Sequence, residues 1–466
     1  MLEDFNEKTP VTSRKPAEWP YYLWILVTVI LFGYGYFGIY LMIVGNPELL
    51  SFVSLLLNTS MQTIGELLPL TIITFLTIGI VAIIGAYALL QLFAALGEEF
   101  LLFVYFGIPG IIALFGGYMI IKGGFVGILF LIPLLIVIIV RKKLITAAKL
   151  FEYSVEQVTG NLQTTIPMII VGIIKVLLWT GFFSAEIYTQ YLLKGATQEV
   201  RYLAGLVVFF VYLFVVYGFT YYFEAANVFI FNNVYHNSDE RGLREAFKVV
   251  KEMRGAIIGF AFMMALVQLI RKITRDVTNR GRRDTNKNER GAILWIIGMG
   301  LAYLMNFLFG VFMFLNYYTL VVIMVKRKPL KEATKESVKL LPRTMVTSIA
   351  GNVGIAAAEL LYKFLVIIIL TISGYYYGTW ISIRYNLANL NLIIGIFMAI
   401  LFSFIGYGPM VSVFQPVFTA YKTFLFNAAL DLLEGRPLPQ HIPLKLREAL
   451  SEVINSLGME KVSVSF

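Results

Sequence analysis

An all-α, polytopic membrane bundle of about ten transmembrane helices is the fold class predicted by this 466-residue sequence, and three observations predict it. Hydrophobic residues make up 59% of the chain and charged residues only 14%, with a mean hydropathy of +0.78. Soluble domains run at about 45–50% and about 25%. Charge-poor runs of about 20 residues, the length that crosses a hydrocarbon core, recur along the chain. A Leu-x-x-Ala-x-Lys motif returns three times, each time ahead of such runs. The apolar content excludes disorder, and the lack of a period excludes a collagen-like or low-complexity chain. Cysteine is absent, which removes disulfides, thiolate metal sites, iron–sulfur clusters and thiol nucleophiles. The two histidines, His236 and His441, leave little imidazole chemistry.

Residues 1–19 are polar and mixed in charge and read as a cytoplasmic tail, without the apolar core of a cleaved signal peptide. Residues 20–140 form a four-span portion: Pro20–Val44, Leu67–Leu96, Phe100–Ile121 and Gly123–Val140. Residues 141–421 form a six-span domain: Ile166–Leu193, Tyr202–Tyr235, Gly255–Ile270, Gly291–Val325, Met345–Gly378 and Leu387–Tyr421. The run Gly255–Ile270 is short for a crossing. Residues 422–466 form a second cytoplasmic tail, in which Leu444–Leu457 reads as an amphipathic helix that docks on the membrane face or on a partner.

Lys and Arg set the orientation. With the N-terminus inside, the inner segments hold 24 basic residues and the outer ones 12, eight of them in the loop Arg271–Arg290. Both termini are therefore expected in the cytoplasm of a cell membrane. That basic loop is the one objection, and its interspersed acids and lack of aromatics read as a solvated loop rather than a nucleic-acid surface.

The repeated motif is LITAAK at Leu144–Lys149, LREAFK at Leu243–Lys248 and LKEATK at Leu330–Lys335. Each opens an amphipathic stretch: Leu144, Ala148, Phe151, Val155 and Val158 share one face, as do Leu243, Ala246, Val250 and Met253. Such helices are expected to lie in the cytoplasmic interface, apolar side down, with lysines towards anionic headgroups. The unit is an interfacial helix followed by a two-span hairpin, present three times as a parallel repeat.

LKEATKESVKLLPRTMVTSIAGNVGI and FIGYGPMVSVFQPVFTAYKTFLFNAALDLLEGRPLP resemble an uncharacterised prokaryotic family of six-span membrane domains, over roughly residues 141–439. VRKKLITAAKLFEYSVEQV and IIGFAFMMALVQLIRKI are more distantly similar to the choline transporter-like family. That resemblance implies ten spans with cytoplasmic termini. The insert HNSDERGLREAFKVVKEM departs from the pattern, where that family runs from a histidine directly into its span, and no binding residue carries over.

Ionisable residues inside spans are costly and are the first candidates for function. Lys175 and Glu186 share the fifth span, on one face but about 16 Å apart along the axis. Glu224 and Asn227 lie one turn apart in the sixth. Glu359 and Lys363 in the ninth are spaced to pair directly, and Ala356–Ala358 leave room beside Glu359. Self-neutralised pairing and snorkelling are the bland readings of these residues. Tyr221, Tyr222, Tyr375, Tyr376, Tyr377 and Trp380 read as interfacial anchors ahead of a cage for a quaternary ammonium. Pro69, Pro133, Pro167 and Pro409, with many glycines, are expected to kink helices or let them approach closely.

No Walker loop, His-Glu-x-x-His or Gly-x-Ser-x-Gly is present, so no catalytic motif, cofactor or metal is expected. The cluster YHNSDE at Tyr235–Glu240 reads as the polar entry to an interfacial helix rather than a metal site. The functional reading is a transporter of a small polar or amphiphilic solute. Its rival is a structural or assembly subunit with no substrate of its own. The expected partners are the bilayer with its anionic lipids, a small solute, and a membrane protein or a second copy of the chain.

Overall fold

A computed structural model describes residues 17–122, 125–239, 242–284, 289–384 and 391–455. All regular structure among them is helical. The order is α1 (Trp19–Phe32), a π turn (Gly33–Phe37), α2 (Gly38–Val44), α3 (Pro47–Leu102), a second π turn (Phe103–Gly107) and α4 (Ile108–Ile121). A 3-10 segment (Phe125–Leu131) leads into α5 (Ile132–Thr159), then α6 (Thr165–Leu192), α7 (Gln198–Tyr235) and α8 (Leu243–Asp284). The chain ends with α9 (Glu289–Leu315), α10 (Thr319–Val325), α11 (Leu330–Arg384), α12 (Asn391–Leu433) and α13 (Leu444–Asn455). Among the described residues eight helical stretches are long and apolar enough to cross a membrane. The protein is an all-α polytopic bundle.

Eight of the ten apolar runs correspond to these stretches; the other two do not. From Phe125 on, the run Gly123–Val140 is split between the 3-10 segment and the start of α5. From Asn391 on, the run Leu387–Tyr421 belongs to α12, of which Asn391–Ser403 is a shorter apolar helix; residues 123–124 and 387–390 lie outside the described ones. The short run Gly255–Ile270 lies in a stretch of sufficient length, Leu243–Asp276, because amphipathic turns extend it at both ends. The loop expected at Arg271–Arg290 is replaced by helix as far as Asp284. Its four following residues lie outside the described ones.

The second and third runs are not the arms of a hairpin. Helix continues through Gly97–Glu99, since no proline interrupts the hydrogen-bond ladder there. The turn comes after Ile121, and α5 then runs back along α3 and α4. Tyr87 donates to the carbonyl of Thr159 (2.6 Å), a Cβ at Gly97 would touch Phe151, and one at Gly116 would reach the carbonyl of Gly127 (2.7 Å).

The repeat also differs from expectation. In the first unit the motif lies inside α5, which runs on to Thr159, where Gly160 closes the helix on Glu156 and the Asn161 side chain caps Gln163, so α6 starts afresh. In the second and third units nothing breaks the helix, and the motif forms the first turns of α8 and α11 themselves. Ala147, Ala246 and Ala333 are all fully buried, so the motif's alanine face packs against protein rather than lying on lipid. Lys248 and Lys335 are exposed and Lys149 partly so.

One large core joins α3, α5, α7, α8, α10, α11 and α12, and nearly every residue of α12 from Val413 to Ala429 is buried or partly so. Two smaller clusters seat α1 on α7 and α8 through Trp24, and on α6 through Leu31. Glycines allow the tightest crossings, as expected. Gly374 and Gly378 of α11 meet Ala399 and Gly395 of α12, and Gly35 abuts the carbonyl of Gly181. The prolines act differently: Pro133 starts α5, Pro167 sits in the first turn of α6, and the one inside α11 is Pro342. The side chains of Pro69 and Pro409 lie outside the described ones. The amphipathic C-terminal helix docks on its own chain, with Leu446, Leu450 and Val453 buried, Thr146 bonded to the carbonyl of Ala449, and Lys142 paired with Glu452.

Candidate functional site

Among the described residues the most enclosed ion pair involves Glu224 of α7, whose side chain is 3% exposed. Its partner is Lys422 of α12, with Nζ 3.5 Å from Oε1. Gln415 of α12 donates from Nε2 to the other carboxylate oxygen at 3.3 Å. The Lys422 ammonium also lies 3.9 Å from the ring centroid of Phe418 and 5.3 Å from that of Tyr317. These two rings stand at 90° with centroids 6.2 Å apart. Tyr317 sits in the turn between α9 and α10, its hydroxyl donating to Asn352 of α11 (3.1 Å). Gln415, Phe418 and Lys422 recur at steps of three and four, one face of α12. A carboxylate and two perpendicular rings therefore surround one ammonium group, an arrangement that suits organic cations.

Lys175 of α6 lies within electrostatic reach of both Glu224 and Glu359, so three of the predicted charges converge from α6, α7 and α11. Glu359 and Lys363 pair directly, with Nζ 2.5 Å from Oε1 and side chains 24% and 26% exposed. Asn227 is fully buried and donates to the carbonyl of Thr164 (2.8 Å), while its Oδ1 is buried without a hydrogen bond. It ties α7 to the start of α6 rather than joining the cation. Glu186 is also apart. It accepts from Gln190 (2.9 Å) and occupies the gap beside Gly205 of α7, with Oε2 buried and unbonded.

The sequence reading missed Lys422, Gln415, Phe418 and Tyr317. It ended the last span at Tyr421 and assigned Lys422 to a solvated tail, but α12 continues to Leu433 and carries the lysine inside. Of the aromatic residues expected at span ends, Tyr375, Tyr376 and Trp380 are exposed and Tyr222 is partly so.

The YHNSDE cluster ends α7. Asn237 takes a left-handed conformation (φ 52°), Ser238 donates to the carbonyl of Asn233, and Tyr235 donates to Asp431 of α12 (2.9 Å). Among the described residues no group of three acidic, histidine or cysteine side chains could hold a metal ion. At the α3–α5 crossing, partial burial raises the Glu152 carboxyl above the usual carboxylate range, and Glu98, Glu156 and Glu99 add to the shift. A cavity of about 430 Å³ lies elsewhere, bounded by Ala17, Trp19, Gly255, Pro329 and Leu330. It brings the start of α1 beside Gly255 of α8 and the start of α11. Glu18 pairs with Arg254 there at 2.8 Å.

A family model described as plasma-membrane choline transporter matches residues 124–432. No curated protein matches the chain.

Proposed function

This chain belongs to the plasma-membrane choline transporter family, and from that premise we propose that it carries a small amphiphilic organic cation through the region where α6, α7, α11 and α12 meet. The observation that carries the proposal is the enclosed Glu224 carboxylate, which faces an ammonium group resting on aromatic rings. A desolvated cation–π contact contributes about 2 kcal/mol, and it needs no hydrogen-bond donor on the cation. Charges at the bilayer centre cost about 2.5–3.5 kcal/mol each on insertion scales. Lys175 within electrostatic reach of both Glu224 and Glu359 therefore suits a route that polar solutes share.

The same reading puts the protein in a cell membrane with both termini in the cytoplasm. The 24-to-12 distribution of basic residues supports this, as does the packing of Ala17 beside Gly255 and Leu330. Exposed Lys248 and Lys335 then face anionic headgroups.

Uptake of radiolabelled choline into proteoliposomes tests the transport reading. Wild-type protein accumulates the label above empty vesicles. Glu224→Gln lowers the initial rate by about tenfold or more, the factor made by about 1.4 kcal/mol of lost interaction, and Glu359→Gln lowers it less. Unchanged uptake in Glu224→Gln overturns the route. Wild-type vesicles that take up neither choline nor tetramethylammonium overturn the transport reading and favour the assembly subunit.

A further inference from the structure

Lys422 does not behave as an ordinary salt-bridge partner. Ammonium–carboxylate hydrogen bonds close to about 2.7–2.9 Å, and Lys363 and Glu359 in this molecule approach to 2.5 Å. Lys422 stops 3.5 Å from Glu224, although neither side chain is held back by water: they are 15% and 3% exposed. Its Nζ lies instead over the Phe418 ring at 3.9 Å, with Tyr317 at 5.3 Å on a second side. Gln415 occupies the second carboxylate oxygen, so the carboxylate is turned by a neutral donor rather than by the lysine. Contact through ring faces with a carboxylate at the outer limit of hydrogen-bond range is the geometry that also suits a methylated ammonium, which has no N–H to donate. The nest thus has the shape for a cation other than the one it holds.

We propose that the nest of Glu224, Phe418 and Tyr317 is the organic-cation site of this chain, and that Lys422 is a tethered ammonium that occupies it until a substrate cation displaces it. The inference rests on the transport reading and adds to it a site and a built-in competitor. A ligand that must first expel an internal occupant binds more weakly, by the fraction of time the site is free. Lys422 supplies this competition without leaving the protein, and it keeps Glu224 neutralised between substrates. An empty nest would leave a carboxylate buried without a counter-charge, which is the costly state for a charge in a low-dielectric interior. The lysine therefore sets affinity low and stability high at one point.

The test is binding of tetramethylammonium chloride, which presents the quaternary headgroup alone, to purified full-length protein in detergent by isothermal titration. Lys422→Met keeps the length and removes the charge. The expected result is a dissociation constant at least tenfold lower than wild type. Lys422→Arg, which keeps an occupant, should not tighten binding, and the added change Glu224→Gln in the Lys422→Met background should abolish the gain. Where Lys422→Met does not fold, Lys422→Gln retains a donor to Glu224 and is expected to tighten binding in the same direction. Binding no tighter than wild type in the folded neutral variants, or an equal gain without Glu224, overturns the tether. Choline uptake by wild type together with unaltered binding in Lys422→Met leaves the transport reading standing and removes only this inference. Tighter binding in Lys422→Met with no uptake by wild type does the reverse.

Discussion

Gly374 and Gly378 lie one turn apart on α11, where it crosses α12, and replacing either with alanine tests whether that crossing sets the geometry of the bundle. A Cβ at Gly374 would fall 2.6 Å from the carbonyl oxygen of Met398 and 2.7 Å from the Cα of Ala399. At Gly378 it would fall 2.6 Å from the carbonyl of Ile394 and 2.8 Å from the Cα of Gly395. Ordinary contact begins at 3.4 Å, so each methyl is about 0.7 Å too close to backbone that no rotamer change can move. The helices must separate. Overpacking of this kind costs about 1–3 kcal/mol, and the helix-propensity gain from Gly to Ala offsets at most about 1 kcal/mol. A net loss of about 1–2 kcal/mol is expected from Gly374→Ala. Gly310 on α9 has open space around it and serves as the control. Unfolding of purified protein in mixed detergent–SDS micelles measures the difference. If Gly374→Ala and Gly378→Ala unfold at the same SDS fraction as Gly310→Ala, the crossing is looser than the backbone distances imply and the reasoning fails.

Two further predictions concern charge. Glu152 is protonated more readily in the fold than in the unfolded chain, because of burial and of Glu98, Glu156 and Glu99 nearby. Native protein then binds more protons than unfolded protein between the ordinary carboxylate value and the raised one. Stability accordingly falls as pH rises through that window and stays lower at neutral pH. Glu152→Gln should raise stability at pH 7 by about 0.2–0.5 kcal/mol, the size of one like-charge i,i+4 pair, and flatten the profile. An unaltered slope between pH 4.5 and 7 counts against the crowded-carboxylate account. Reporter fusions after Lys149, Lys248 and Lys335 should all signal the cytoplasm. An external signal from the Lys248 fusion would break the shared end implied by the Glu18–Arg254 pair.

Hydropathy made the bundle legible because bilayer thickness demands long apolar runs, and eight of those runs are helices of sufficient length. It was blind to how the runs join. Gly97–Glu99 looks like a loop to a count of charges, yet nothing there breaks an α-helix, whereas Gly160–Asn161 carries a real stop signal. The same error shaped the motif. Its lysines suggested an interfacial helix, whereas its alanines are what the fold uses, buried at zero exposure in all three copies. For the site, Lys175, Glu224 and Glu359 were readable from their cost in a membrane. Lys422 was not, because one residue's difference in where a span ends moved it from the core to a tail. The spacing of Gln415, Phe418 and Lys422 was the available signal.

The place of Lys422 also follows from how α7 and α12 recognise each other. Lipid tails are as apolar as leucine, so polar contacts and close packing, not hydrophobic burial, must set helix register in a bilayer. These two helices run in the same direction with three polar rungs between them. Glu224 meets Gln415 and Lys422, Asn232 accepts from Asn427 at 3.1 Å, and Tyr235 donates to Asp431 at 2.9 Å. Arg436 closes the last rung by donating to Asp431 at 2.8 Å. A slip of one turn would break all three at once, so the register is fixed where the rungs are tight. The first rung is the loose one, with its ammonium 3.5 Å from the carboxylate. The two lower rungs hold the helices in place, so on the proposed tether the upper one exchanges its cation without loss of the pairing. A ladder locked at one end and open at the other is a scaffold on which a binding site can turn over while the fold stays put.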